Sequence, residues 1–347
     1  MNQSSPTPNH ITKYASNYEE RLIELLVNHR GMSRDSVLRE RYKYACALDK
    51  STAVSSDIDT FPLTVNIELL NKCNYKCSMC YTVNHDGDGV TLGINTAKNI
   101  IDECASNRLM TLFIANGSEP TICKDFKEIV KYATSLIPDV AVFTNAVKLD
   151  AEMTDFLIQS GITRLNISLD AARKETYKLI RGGDLDRIEE NIRHFLQRRG
   201  SGKPPLVRVS FVEQPTNKHE ATEFINKWSG IADSVEIQCL QDFNNIPSLP
   251  AIGNANELEN ESVLIDNHCY SPFSYIAIWS NGQISPCCSF HGTKINLGNI
   301  KQGDTISSAW NGEMMRSLRD QFSRSSVNSI CADCLSCTDY EKTNKDI

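Results

Sequence analysis

The sequence contains no stretch of about 18 consecutive apolar residues, so no segment reads as a membrane-spanning helix. Its opening, "MNQSSPTPNH", is polar and has no basic stretch leading into an apolar one, which argues against a secretory signal and for a cytoplasmic protein. An excess of positive charge is also missing, since the formal net charge is -7 over 347 residues. Nucleic acid held without regard to sequence needs clustered Lys and Arg to release counterions. The short basic runs, Arg39 to Lys43 and Arg193 to Arg199, read instead as solvated helix faces. Neither nucleic acid nor a membrane is therefore an expected partner. No internal repeat or long low-complexity segment stands out, and 40% hydrophobic content is enough for a packed core.

What the chain has in abundance is cysteine, 13 in all. A disulfide framework does not suit a reducing compartment, so metal binding or catalysis is the expectation.

Residues from about Tyr14 to Leu48 carry apolar positions at helical spacing, followed by a Ser/Asp/Thr-rich linker, Ser51 to Thr60. Residues 1–60 thus read as a helical N-terminal extension and linker. From Pro62 the pattern alternates. Strands are expected at Leu63 to Leu69, Leu109 to Ala115, Asp139 to Asn145, Arg164 to Asp170, Leu206 to Val212 and Val235 to Leu240. Helices are expected near Asn95 to Asn107, Lys124 to Ser135, Ala151 to Ser160, Leu185 to Arg199 and Lys218 to Trp228. Such repeats imply an α/β fold, a partial (β/α)6 TIM-like barrel over residues 61–245, open or closed, with its functional face at the strand C-terminal ends. Residues 246–347 form a Cys-rich tail with a hairpin signal, "YIAIWSNGQISP", turned at Asn281-Gly282.

Cys73, Cys77 and Cys80 follow the first strand with the spacing C-x3-C-x2-C. Three thiolates can hold three irons of a [4Fe-4S] cluster and leave the fourth open for chemistry. The competing reading is a zinc site with His85 as fourth ligand, although zinc ligands more often come in C-x2-C pairs. On strand four, Asn166, Ser168 and Asp170 alternate with Leu165, Ile167 and Leu169, so the polar set shares one face. An interior hydrogen-bonded network without a ligand would explain that set equally well, and Ser210 on strand five is open to the same reading.

In this context the triplet resembles the signature of the radical S-adenosylmethionine (SAM) superfamily, over roughly Pro62 to Phe243. The resemblance implies a [4Fe-4S] cluster whose open iron chelates SAM, and cleavage of SAM to a 5'-deoxyadenosyl radical that abstracts hydrogen from an unactivated C-H bond. It implies SAM contacts at Tyr81, just after the third cysteine, and in "NGSEP", Asn116 to Pro120. That stretch resembles the family's G-G-E-P motif with Ser118 in place of a glycine; Glu119 would accept from the SAM ammonium, flanked by Ser118 and Pro120. Asn166, Ser168, Asp170 and Ser210 are the further candidates for SAM contacts.

The tail reads C-x12-G-x4-C from Cys269 through Gly282 to Cys287, then C-x2-C-x2-C at Cys331, Cys334 and Cys337. This resembles the auxiliary-cluster tails called SPASM and twitch. Cys269, Cys287, Cys331 and Cys334 make one complete ligand set, implying one auxiliary [4Fe-4S] cluster, with Cys288 and Cys337 left over; a four-cysteine zinc site is the alternative. Cys46, Cys104, Cys123 and Cys239 are expected to be structural, Cys239 with its side chain on the helix side of strand six.

Relatives with such tails imply oxidation of a sugar, cyclitol or related small molecule, or maturation of a ribosomal peptide by epimerisation or crosslinking. An electron donor such as flavodoxin or ferredoxin is implied as partner. A non-catalytic iron-sulfur redox sensor is the reading of another class.

Overall fold

The computed structural model describes residues 11–14, 17–48, 60–80, 88–240, 262–264 and 269–336. Tyr81, His85, Cys337 and most of the Ser51 to Thr60 linker lie outside them. The N-terminal extension comprises β1 (Ile11–Tyr14), α1 (Tyr18–Asn28) and α2 (Arg34–Leu48). Strand β1 falls in the expected polar leader, whose composition carries no strand signal.

The six expected strands are present as β2 (Thr64–Ile67), β3 (Thr111–Ile114), β4 (Asp139–Thr144), β5 (Arg164–Ser168), β6 (Leu206–Glu213) and β7 (Ser234–Cys239). Each pairs in parallel with the next. Between them run α3 (Ile94–Ser106), α4 (Phe126–Leu136), α5 (Ala151–Gln159), α6 (Lys174–Arg181), α7 (Leu185–Arg199) and α8 (Ala221–Trp228). The sheet does not close on itself: β7 pairs outward with antiparallel β1, and β2 pairs outward with the tail. Period-two alternation divides its faces. Val65, Ile67, Leu112, Ile114, Leu165 and Val209 join the helices in one apolar core. The registered partners Asn166 and Arg208, and Ser168, Ser210 and Glu236, occupy the other, inner face.

The tail begins with β8 (Ser262–Leu264) and α9 (Ser271–Ser274), then β9 (Tyr275–Ile278), β10 (Gln283–Ser285) and β11 (Gly298–Asn299). It ends with α10 (Ile306–Trp310), α11 (Glu313–Ser323), β12 (Ser326–Asn328) and α12 (Ser329–Ser336). The expected hairpin joins β9 and β10. Its Gly282 sits at φ 93°, and a Cβ there would lie 2.5 Å from Asn299 Oδ1, so the turn requires glycine. Local periodicity did not reveal that β9 pairs in parallel with β2, which extends the barrel sheet into the tail.

Helix α1 covers the N-terminal ends of the strands, where Tyr18, Leu22 and Leu26 pack with Met110 and Leu206. Arg30 donates to the carbonyls of Ile137 at 2.8 Å and Pro138 at 3.0 Å, and also to that of Thr134, satisfying the end of α4. Ala47 of α2 packs with Phe273, Phe322 and Val327. The extension therefore braces both barrel and tail, and leaves the opposite strand ends open for loops.

Glu68 ties the two parts together at β2. Its buried Oε2 accepts from the Ser280 amide at 3.0 Å and the Ser280 hydroxyl at 2.8 Å. Burial pushes its carboxyl from 4.5 up to about 7. With the folded-state value above the unfolded one, this carboxyl contributes stability below about pH 4.5, lost as pH rises through about 7. Glu68→Gln keeps an acceptor for Ser280. Urea unfolding of the metal-free protein should show it more stable than the parent by roughly 3 kcal/mol above pH 7, and nearly equal near pH 4.5. An advantage that does not change with pH would contradict this.

Candidate functional site

The loop after β2 places Cys73, Cys77 and Cys80, each half-buried, at the C-terminal ends of the parallel strands. The loop is held by its backbone and its aromatics. The Ser78 amide donates to the Ile180 carbonyl at 2.8 Å, and the Cys80 amide to the Cys77 carbonyl at 3.0 Å. Tyr75 meets Tyr177 edge to face at 6.4 Å between ring centres. A Cβ on Gly183 would fall 2.1 Å from Tyr75 Oη, so that position has room only for glycine.

The Cys73 sulfur accepts from the Tyr75 amide at 3.4 Å and from Asn145 Nδ2 at 3.8 Å. Burial pushes the Cys73 and Cys77 thiols up, Cys77 to about 11, and the thiols raise one another; Arg181 opposes this at both. Three neighbouring soft donors, partly exposed and not in disulfides, fit a thiolate-bound cluster, whose metal displaces their protons. Among the described residues no three Cys, His, Asp or Glu gather around a single ion-sized point.

The loop from Asn116 to Pro120 closes over the same end. Glu119 is 2% exposed. Its Oε1 accepts from the Thr121 amide at 3.2 Å, the Thr121 hydroxyl at 2.5 Å and the Thr144 hydroxyl at 2.8 Å, and its Oε2 from the Asn145 amide at 2.7 Å. Burial pushes this carboxyl up, and those four donors hold it down. Pro120 begins a short 3-10 turn behind it. Asn145, which periodicity alone did not single out, links Glu119 to the cysteine loop through Asn74 Oδ1 at 2.8 Å. The available signal was its place directly after β4, matching Asn116 after β3.

Several polar atoms here are buried without a protein partner: Asn66 Oδ1, Asn116 Nδ2, Ser118 Oγ and Asn166 Oδ1. Such atoms are costly unless something bonds them. Ser168 is half-buried, and Ser210 Oγ donates to the Ile167 carbonyl at 3.3 Å. Asp170 is fully engaged: one oxygen accepts from the Val212 amide at 2.7 Å, and the other from Arg181 Nε at 2.7 Å. Tyr81 lies outside the described residues.

In the tail, Cys269, Cys287, Cys331 and Cys334 are half-buried thiols. Ser289 Oγ lies 3.2 Å from the Cys287 sulfur and 3.7 Å from that of Cys334. Burial pushes Cys331 up to about 12, with Cys269 and Cys334 adding to it. Cys288 turns elsewhere. Its sulfur accepts from the Tyr275 hydroxyl, which in turn accepts from Asn66 Nδ2 at 2.5 Å. Cys104 and Cys123 are buried in the core, and Cys239 shares the strand parity of Val235 and Ile237, which pack towards the helices.

Residues 67–203 match the family model of the Radical SAM superfamily, and residues 269–335 match that of the SPASM iron-sulfur cluster-binding domain. A probable GTP 3',8-cyclase of Saccharolobus islandicus is 31% identical over 163 residues, 46% of this chain and 51% of that protein. The mycofactocin maturase MftC of Mycobacterium tuberculosis is 31% identical over 166 residues, 47% of this chain and 41% of that one. The chain thus spans about half the length of the curated relatives it matches. Among solved structures, Streptococcus suis SuiB bound to its precursor peptide SuiA aligns with a TM-score of 0.57 at 17% identity, covering 83% of this chain and 72% of that one. BtrN in complex with AdoMet and 2-DOIA aligns with a TM-score of 0.52 at 17% identity, covering 77% and 89%. These structures share the fold.

Gly183→Ala should drive Tyr75 from its seat and loosen the cysteine loop. Amide hydrogen exchange across residues 75–80 should quicken by about tenfold or more while β3 to β6 keep their protection. Unchanged exchange in that segment would show that the contact does not hold the loop.

Proposed function

Because the chain belongs to the radical SAM superfamily and carries a SPASM domain, we propose that it is an enzyme that removes hydrogen from an unactivated C-H bond of a neutral, polyhydroxylated small molecule, such as a sugar or cyclitol, and oxidises it. In this reading residues 61–245 are the catalytic core and 246–347 the auxiliary domain, with 1–60 as a brace. A reduced [4Fe-4S] cluster binding SAM through its open iron supplies a 5'-deoxyadenosyl radical when bound.

The chain's own residues have the following roles in this proposal. Cys73, Cys77 and Cys80 are the ligands of the first cluster, and their position beside Asn145 and Glu119 is the observation that carries the reading. Glu119 Oε2 has one protein donor and keeps acceptor capacity for an ammonium group. Ser118, Pro120, Asn166, Ser168 and Ser210 line the SAM site, Ser118 and Asn166 with partnerless oxygens. Asp170 supports it through Arg181. Cys269, Cys287, Cys331 and Cys334 hold one auxiliary cluster; the turn of Cys288 towards Tyr275 favours one cluster over two. As an electron acceptor this cluster would take the second electron of an oxidation.

On the inner face Arg164 and Arg208 are balanced by Asp139 at 3.0 Å and Glu236 at 3.3 Å, so these pairs leave no net positive charge to draw a phosphate. Although Arg208 Nε is buried without a partner, this balance favours a neutral substrate. The partnerless amide atoms of Asn66, Asn116 and Asn166 suit hydroxyl groups, which both donate and accept. The 31% identity with a mycofactocin maturase leaves maturation, which in the second reading is the epimerisation or crosslinking of a ribosomal peptide, as the alternative. Flavodoxin or ferredoxin would supply electrons, in the cytoplasm; no described helix is long and apolar enough to cross a membrane.

Protein reconstituted without oxygen should hold about eight irons per chain, and replacing Cys73, Cys77 and Cys80 by Ala should remove about half. With SAM and dithionite it should release 5'-deoxyadenosine, which a redox sensor would not. Zinc without iron in protein isolated anaerobically would refute both cluster assignments.

Glu119→Gln should weaken SAM binding by roughly tenfold to a hundredfold at unchanged iron content; equal affinity would remove Glu119 from the SAM site. A folded Cys331→Ala/Cys334→Ala variant should still cleave SAM and form no oxidised product. If solvent deuterium enters a product of unchanged mass otherwise, the reaction is an epimerisation.

A further inference from the structure

We propose that the groove between α4 and α5 is the docking surface for an acidic one-electron carrier protein that serves the cluster at Cys73, Cys77 and Cys80. This rests on the proposed function, which needs such a donor; the surface is the new element. Two cavities, of about 380 and 310 Å³, lie along these two helices on the outside of the barrel. Lys124, Lys127, Lys148, Asp150 and Glu152 line the first, and Arg30 and Lys131 line the second. Phe156 of α5 links them, with Lys127 and Lys131 at 5.5 and 5.9 Å from its ring centre. With Asp125 at the head of α4 included, five cations face three acids, in a chain whose net charge is -7.

Most of this positive charge is unmatched. Lys127 pairs with Glu152, but Lys124, Lys131 and Lys148 are exposed and no acid pairs with them among the described residues. Arg30 spends its hydrogen bonds on carbonyls. The flanking acids are taken by cations outside the groove, Glu128 by Lys98 at 2.7 Å and Asp155 by Arg198 at 2.8 Å. The first cavity also reaches the site. Its wall includes Thr121, whose hydroxyl donates to Glu119 Oε1 at 2.5 Å, while Glu119 Oε2 accepts from the Asn145 amide at 2.7 Å. Asn145 Nδ2 lies 3.8 Å from the Cys73 sulfur. Glu119 and Asn145 thus bridge the wall of the groove and a cluster ligand, a short path for an electron. A patch of one sign steers a partner of the other sign and fixes its register. The net negative charge of the chain repels an extended polyanion beyond the patch, so a compact acidic protein fits where a nucleic acid does not. In the transfer the carrier is oxidised and the cluster reduced by one electron, with no bond made or broken.

The test is calorimetric binding of two acidic carriers, a flavodoxin and a plant-type ferredoxin, to the reconstituted protein at low and high salt. The parent should bind at least one of them, more weakly as salt rises. Lys124→Glu/Lys131→Glu/Lys148→Glu should weaken that binding by about tenfold or more at low salt. Lys203→Glu, a charge reversal just before β6, should leave it unchanged. Release of 5'-deoxyadenosine driven by a limiting amount of the reduced carrier should fall with the triple variant, and release driven by dithionite should not. Equal carrier affinity in parent and triple variant, an equal loss in Lys203→Glu, no binding of either carrier by the parent, or tighter binding of a single-stranded RNA through the same lysines would overturn the inference. A parent that releases no 5'-deoxyadenosine with dithionite would instead refute the proposed function, and carrier binding is read independently of it.

Discussion

The parallel pairing of β2 with β9 is the constraint on which the rest depends. Strand β2 delivers the cysteine loop from its end, and on its other edge it carries β3 and the Asn116 to Pro120 loop. Through Asn66 it meets Tyr275 and through Glu68 it meets Ser280, both from the tail. Without this pairing the two thiol groups would belong to separate domains on a linker. With it they are attached to one sheet, and the tail's aromatics Tyr275 and Trp279 join Phe113 of the barrel in one cluster.

The site is assembled from atoms that the fold leaves partly unused. The apolar face of the sheet is consumed by the helices, as in any parallel sheet. The inner face divides into polar groups that pair with one another, such as Arg164 with Asp139, and groups with atoms left over, such as Asn66 and Asn166. Leftover donors and acceptors lower stability unless a ligand takes them. Asn66, Asn116, Ser118 and Asn166 leave such atoms on the inner face and in the loop that follows β3.

Much of this was legible in the sequence. The six strands and five of the helices between them follow from alternation and from apolar spacing, both local properties. The Asn281-Gly282 hairpin was legible because its turn demands glycine. The missing pieces have a different physical origin. Helix α6 is amphipathic, with Tyr177 and Ile180 turned inward, but it is mostly polar and only eight residues long, shorter than the window over which helical spacing is read. Strand β1 exists by pairing with β7, and β9 joins the barrel by pairing with β2, choices made by long-range contact. The cysteine triplet could be read from its spacing alone. Asn145 could not, because its importance comes from bridging Glu119 and Cys73, residues distant in sequence. The role of Asp170 was likewise hidden, since its parity suggested an inward-facing ligand group while its carboxylate is occupied by Arg181 and Val212.

The central claim is that the cluster held by Cys73, Cys77 and Cys80 has an open iron that binds SAM directly. Electron-nuclear double resonance on the reduced protein, with SAM labelled with nitrogen-15 at its amino group, tests this most directly. The account predicts a nitrogen-15 coupling to the cluster that disappears in Cys77→Ala. A well-formed cluster signal with no coupling to the labelled nitrogen would contradict it.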